Sequence, residues 1–276
     1  MRSGPLDWTA NQSDQRWESM AAPEDIDFEL IAAFIDGKLG GAERERVVKL
    51  LGASEPAFEI YALAATCVAG FVRNFVLGRS NLDSPWWVHM HGISMMGWIV
   101  LFVTQNGLVA SDNLAVHRRL GIVAAGWSLW VLLMGGLVLA MNTATHRTLP
   151  AFTPEYIIAI DGLATLAFLS LTWAGIALRR RPDWHKRLML GGTICIIAPG
   201  LGRLVPDSLV NTHITYALFP LHLLFFAAAM LYDLRTRGRV HPAYAWGIGA
   251  LVAMTVLPNM IVTASPLVAL VHSLSG

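Results

Sequence analysis

Charge is scarce in this chain of 276 residues: Asp, Glu, Lys and Arg make up 14% of it, against about 25% in an ordinary soluble domain. One large soluble fold needs more polar surface than that, so this class is excluded. The formal net charge is +1 and no long basic stretch occurs, which argues against a nucleic-acid partner. Cysteine appears twice, as Cys67 and Cys195, each inside an apolar run. Neither a disulfide framework nor a cysteine-based zinc site can be built from them. Walker A, GxSxG, HExxH and GxGxxG patterns are all missing, so no nucleotide, serine-hydrolase, zinc-protease or dinucleotide motif is present. The first 25 residues hold no basic stretch leading into an apolar one, so no cleavable signal peptide is expected.

Apolar sequence fills the space that charge leaves. Hydrophobic residues make up 55% of the chain, and its mean hydropathy is +0.52. The stretch Trp86 to Gly121 sets the pattern: a mostly apolar run, entered at His89 and His91, closes on the basic cluster His117-Arg118-Arg119. Similar runs are expected as spans at 58–77, 86–109, 120–140, 156–178, 187–205, 213–233 and 244–264. A helix needs about 20 residues to cross ~30 Å of hydrocarbon. The loops after the second, fourth and sixth runs carry HRR, RRRPDWHKR and RTRGRVH, while the alternate loops are poor in basic residues. Positive loops collect on the cytoplasmic side. The expected fold is therefore all-α, a polytopic membrane protein of about seven transmembrane helices (58–276) in a bacterial inner membrane, with its N-terminus cytoplasmic.

Ahead of the spans, residues 1–24 are polar and aperiodic and read as a flexible tail. Residues 25–57 differ. Phe28, Ile31, Ala32 and Ile35 keep helical spacing, Gly40-Gly41 interrupt it, and Val47, Val48, Leu50 and Leu51 resume it against Glu43, Arg44, Glu45, Arg46 and Lys49. Two short helices of this kind predict a small cytoplasmic hairpin. Leu30 to Leu39 and Glu43 to Leu51 resemble the zinc-finger-like domain of anti-sigma factors. That resemblance implies a sigma-factor-like cytoplasmic partner for 25–57; a generic helical hairpin fits the same residues. The chemistry departs from that family. Ser54 and Ala57 stand where its cysteines are expected and no histidine lies near Lys49, so this segment cannot bind zinc.

The membrane portion also resembles a family of bacterial multi-pass proteins without an established activity. The residues that carry the likeness are Val88-His89-Met90-His91-Gly92, Gln105, His117-Arg118-Arg119-Leu120-Gly121 and Arg181-Pro182. They continue with His185-Lys186-Arg187-Leu188-Met189, Arg203, Tyr232-Asp233-Leu234 and Val240-His241-Pro242. The likeness implies an architecture and no chemistry. His117-Arg118-Arg119-Leu120 and His185-Lys186-Arg187-Leu188 further form a short parallel repeat, unless any basic loop simply collects such residues.

Ionisable residues inside a membrane need a partner or an aqueous cavity. Asp161 enters its span by about 8 Å and His222 by about 13 Å, both from the outer side, at 1.5 Å per residue. His91 and Arg203 fall in the same half, as does Arg73. His91, Asp161, Arg203 and His222 are the candidate ligand-binding set; the alternative is a structural pair with snorkelling arginines. His91 and Met95 share a helix face at i,i+4, and His222 is the candidate opposing ligand for copper or a haem. Packing alone also explains such a stripe. His117, Arg118, Arg119, His185, Lys186, Arg187 and His241 are expected at the headgroups, on anionic membrane lipids. A quinone head or haem propionates would suit the same histidines.

Three functions stand open on these residues. The first is regulatory or sensory, with a polar cavity in the outer half and a partner-binding hairpin in the cytoplasm. The second is a haem- or copper-binding redox protein. The third is an accessory subunit packed into a larger membrane complex.

Overall fold

The structure, a computed structural model, describes residues 40–43, 55–80, 83–147, 152–210 and 213–262. The expected tail at 1–24 lies outside them, as does most of the hairpin at 25–57. The chain divides into two compact units, Met1–Ala53 and Ser54–Gly276. Of the first, residues 40–43 are described and 41–43 are helical.

The described part of the second unit is built of α-helices and one short 3-10 turn (Asp207–Leu209), with no strand. Its helices are α1 (Glu55–Val76), α2 (Trp86–Ala110), α3 (Leu114–Ala144), α4 (Pro154–Ala177), α5 (Pro182–Ile196), α6 (Ala198–Gly202), α7 (Ile214–Arg237) and α8 (Ala243–Val262). Local chemistry sets their ends. The Asn113 side chain accepts from the Val116 N–H at the start of α3. The Thr153 hydroxyl accepts from the Tyr156 N–H at the start of α4, where Pro154 and Glu155 open the first turn. α7 carries Arg235 and Arg237 in its last turn and stops at Gly238, whose φ of 68° is a left-handed conformation that glycine takes freely.

Six of these helices, α1 to α4, α7 and α8, are long and apolar enough to cross a membrane. Seven runs are expected from the sequence, and the difference lies in the fifth. There the chain forms a helix of 15 residues, α5, then one of five, α6. Pro199 explains the break, since it has no N–H to donate to the Cys195 carbonyl one turn back and its ring crowds that carbonyl.

Side-chain ties sort the helix ends into two groups. At one end meet the three basic loops: Arg187 at the start of α5 bonds Asp233 near the end of α7, and the His117 and His185 rings lie 6.3 Å apart. Trp184 packs edge-on against His241 at 5.1 Å. This is the basic end. At the far end, the Trp87 indole N–H donates to Asn142 (3.2 Å), tying the start of α2 to the end of α3. Thr215 at the start of α7 donates to the Thr255 carbonyl on α8, and Arg73 on α1 donates to the Arg203 carbonyl just after α6.

Close helix approaches rest on glycine. A Cβ on Gly70 of α1 would sit inside van der Waals contact with the Gly200 carbonyl of α6, which is backbone and cannot swing aside. Gly70→Ala should therefore force α1 and α6 apart at a cost of about 1–3 kcal/mol. A lowered midpoint of thermal unfolding in detergent checks this; an unchanged midpoint would show that the contact yields freely.

Candidate functional site

Three of the candidate residues, Asp161, Arg203 and His91, lie toward the far end. Asp161 lies on α4, two turns in from Pro154. Its residue is exposed, in surroundings dense with other protein atoms. No hydrogen bond joins Asp161 to another described residue. Its electrostatic partner is Arg203, just beyond α6.

Arg203 is held from several directions. Its guanidinium stacks over the Phe71 ring of α1 at 4.3 Å. One Nη donates to the Pro199 carbonyl at 2.6 Å, an acceptor within the short helix that the break creates. Its own carbonyl takes the Arg73 guanidinium. Arg203 also lies within electrostatic reach of His91 on α2, whose ring meets the Met134 backbone on α3. Two nitrogens here are buried without a partner, Nε of Arg203 and Nδ1 of His91. Arg203 thus gathers within its electrostatic reach one carboxylate and one imidazole from separate parts of the chain.

His222 is not part of that gathering. It is 2% exposed and lines a small void with Ile160, Ala198, Thr215, Leu218, Leu251, Met254 and Thr255. None of these belongs to α2, so nothing here sets His222 opposite His91. Met95, one turn beyond His91, packs against the hydrophobic core. Among the described residues no group of three or more His, Cys, Asp or Glu side chains is placed to hold a metal.

At the basic end, the two histidines of the short repeat behave alike. Nδ1 of His117 meets the Gln105 carbonyl at 3.3 Å, and Nδ1 of His185 meets the Gly175 carbonyl at 2.9 Å. Each reaches back to the last turns of the preceding helix. Nδ1 of His241 accepts from the Ala243 N–H at 3.1 Å. Arg118, Arg119 and Lys186 are exposed, and His117, His185 and His241 are half-buried. Arg187 corrects the expectation for this group. It is 3% exposed, and its fork is committed to Asp233 and to the Asp183 carbonyl. It is a buried ion-pair partner, with no face left for a headgroup. Asp233 went unread as its partner because it stands at the end of an apolar run, where a carboxylate passes for the start of a loop.

Asp183 completes this network. Both its oxygens accept from Arg237 at 3.0 Å, and that bond holds its carboxyl below the usual carboxylate range. A depressed folded-state pKa stabilises the fold fully above the unfolded-chain value of 3.8; the stabilisation is lost as pH falls through the lower folded-state value. This half-exposed tie contributes at most about 1 kcal/mol. Asp183→Asn should lower stability by up to that amount above about pH 5 and cost progressively less as pH falls toward about 3, which flattens the acid limb of the stability profile. Melting scans from about pH 5 to about pH 3 read the difference.

Large apolar side chains face outward along these helices: Ile122 is 78% exposed, Trp246 66% and Leu224 65%. A water-soluble monomer does not carry such faces. This is an integral membrane protein. No protein family, curated protein or solved structure matches the chain. The resemblances drawn above stand on their quoted residues alone.

Proposed function

We propose that the protein is a seven-crossing inner-membrane receptor whose far-end cleft opens outward and takes a small polar ligand. Several observations support seven crossings. The start of α5 is tied to the basic end through Arg187 and Asp233, while the chain after α6 is tied to the far end. There Arg73 meets the Arg203 carbonyl, and both oxygens of Asp207 accept from Arg79 at 2.7 Å. Together α5 and α6 connect the two ends as one broken crossing. With the basic loops in the cytoplasm, the cleft then faces out. The segment 25–57 lies in the cytoplasm, where its anti-sigma-like pattern fits it to engage a protein partner.

One observation carries the ligand-binding reading. An accessible carboxylate with no hydrogen bond lies within electrostatic reach of a guanidinium, which in turn lies within reach of an imidazole, and the guanidinium and imidazole each keep a buried nitrogen unpaired. A buried polar atom without a partner costs about 1–3 kcal/mol, and a small solute or water entering the cleft removes that cost. The solute suited to it carries a cationic group for Asp161 and an acceptor for Arg203. A panel of small zwitterions, amines and carboxylates should include members that raise the melting temperature of the purified protein. The rise should vanish in Asp161→Asn. A panel without effect, or one acting equally on Asp161→Asn, refutes the reading.

A further inference from the structure

His222 presents a different problem, and the cleft does not answer it. Its Nδ1 lies 2.9 Å from the Leu218 carbonyl one turn earlier on α7. A carbonyl only accepts, so Nδ1 carries the proton and donates. In the neutral ring Nε2 is then a bare lone pair, and it is buried with no partner. A residue 2% exposed cannot turn that lone pair toward solvent.

The void that His222 lines has a volume of about 10 Å³, close to the minimum that one water molecule needs. Its polar walls lack donors. The Thr255 hydroxyl donates to the Leu251 carbonyl at 2.7 Å. The Thr215 hydroxyl donates to the Thr255 carbonyl at 3.1 Å. The proton that joins Tyr156 to Thr215 across 3.4 Å therefore comes from the tyrosine. Both threonine oxygens keep lone pairs and have no proton left to give. Pro258, inside α8, has no N–H for the Met254 carbonyl one turn earlier. The lining thus offers acceptors from an imidazole, two hydroxyls and a carbonyl, and its occupant must supply the protons.

We propose that this void holds a single buried water that donates one hydrogen bond to Nε2 of His222 and its second to a threonine hydroxyl or the Met254 carbonyl. Water fits on both counts, size and donor number. The void's lining comes from α4, α6, α7 and α8. With its second bond on Thr255 or the Met254 carbonyl, the water ties α7 to α8. A metal ion at Nε2 is the competing occupant, and the absence of a further His, Cys, Asp or Glu donor set among the described residues disfavours it.

Imidazole ¹⁵N spectra of the full-length protein, labelled at histidine and reconstituted in lipid, test this directly. His222→Phe identifies the signal by its loss. Thr255→Val keeps the ring and removes one wall hydroxyl, and it serves if the first variant does not fold. The expected spectrum has His222 as the neutral Nδ1–H tautomer. Its Nε2 is shifted upfield of a bare imidazole nitrogen and shows a cross-peak to a water proton that exchanges slowly with bulk. The opposite tautomer, an imidazolium, a metal-shifted Nε2, or a bare Nε2 without a water cross-peak would each overturn the proposal.

Discussion

Asp233→Leu should destabilise the protein by about 3–5 kcal/mol, the usual cost of stranding one member of a buried ion pair. Asp233 is 1% exposed and Arg187 3%. Nε of Arg187 donates to one carboxylate oxygen at 2.7 Å and Nη2 bonds the other, and the guanidinium also sits 5.8 Å from the centre of the Tyr244 ring. Removing the carboxylate leaves a full positive charge in this packed interior, held by the Asp183 carbonyl and, at 3.6 Å, by the half-exposed Asp183 carboxylate. The double variant Arg187→Leu/Asp233→Leu should recover most of the loss, because the net value of a buried pair is small once desolvation is counted. Denaturant unfolding of the two single variants and the double variant closes the cycle. A single variant within about 0.5 kcal/mol of the parent would mean that the pair is solvated like a surface bridge.

Trp98→Ala should cost a similar amount, about 3–5 kcal/mol, through the cavity it leaves. The indole is 2% exposed and Phe168 is 0% exposed. Their rings meet edge-to-face with centroids 4.7 Å apart, and the indole N–H donates to Thr193 at 3.3 Å. One side chain on α2 thereby holds both α4 and α5. Lipid tails are as apolar as the core, so the cost is lost packing rather than exposure to water. Trp98→Phe should keep much of the ring contact and lose less than half as much. Thermal unfolding of both variants reads the ranking; equal losses would place the energy in the Thr193 bond instead.

The helices were legible because each apolar run has a written start or stop, such as Thr153-Pro154 before α4 and Gly238 after α7. The break in the fifth run was not, since composition counts Pro199 as one residue among many apolar ones while the backbone loses a hydrogen bond there. Arg187 was misread for a related reason. In the string His185-Lys186-Arg187 the three cations look equivalent, but successive residues on a helix point about 100° apart. Here Lys186 is exposed and Arg187 is buried. Helical phase did contain a clue on α7, where Leu218, His222, Phe226, Ala229 and Asp233 form one buried stripe. That spacing sets His222 and Asp233 on the interior face. The proposed cleft was readable only as a depth: the sequence placed Asp161, Arg203, His91 and His222 in the same half of the membrane. Which of them share a cleft depends on how separate helices rotate against each other, and no pattern within one helix encodes that.

The account stands or falls on whether Asp161 faces water from the side opposite the basic loops. Asp161→Cys, in otherwise unaltered protein in intact membranes, should react with a charged, membrane-impermeant thiol reagent added to that side. Cys67 and Cys195, 5% and 0% exposed, should stay silent as the internal background. Labelling of Asp161→Cys from that face is the predicted result. Labelling only from the basic face, or only after detergent opens the membrane, would contradict it.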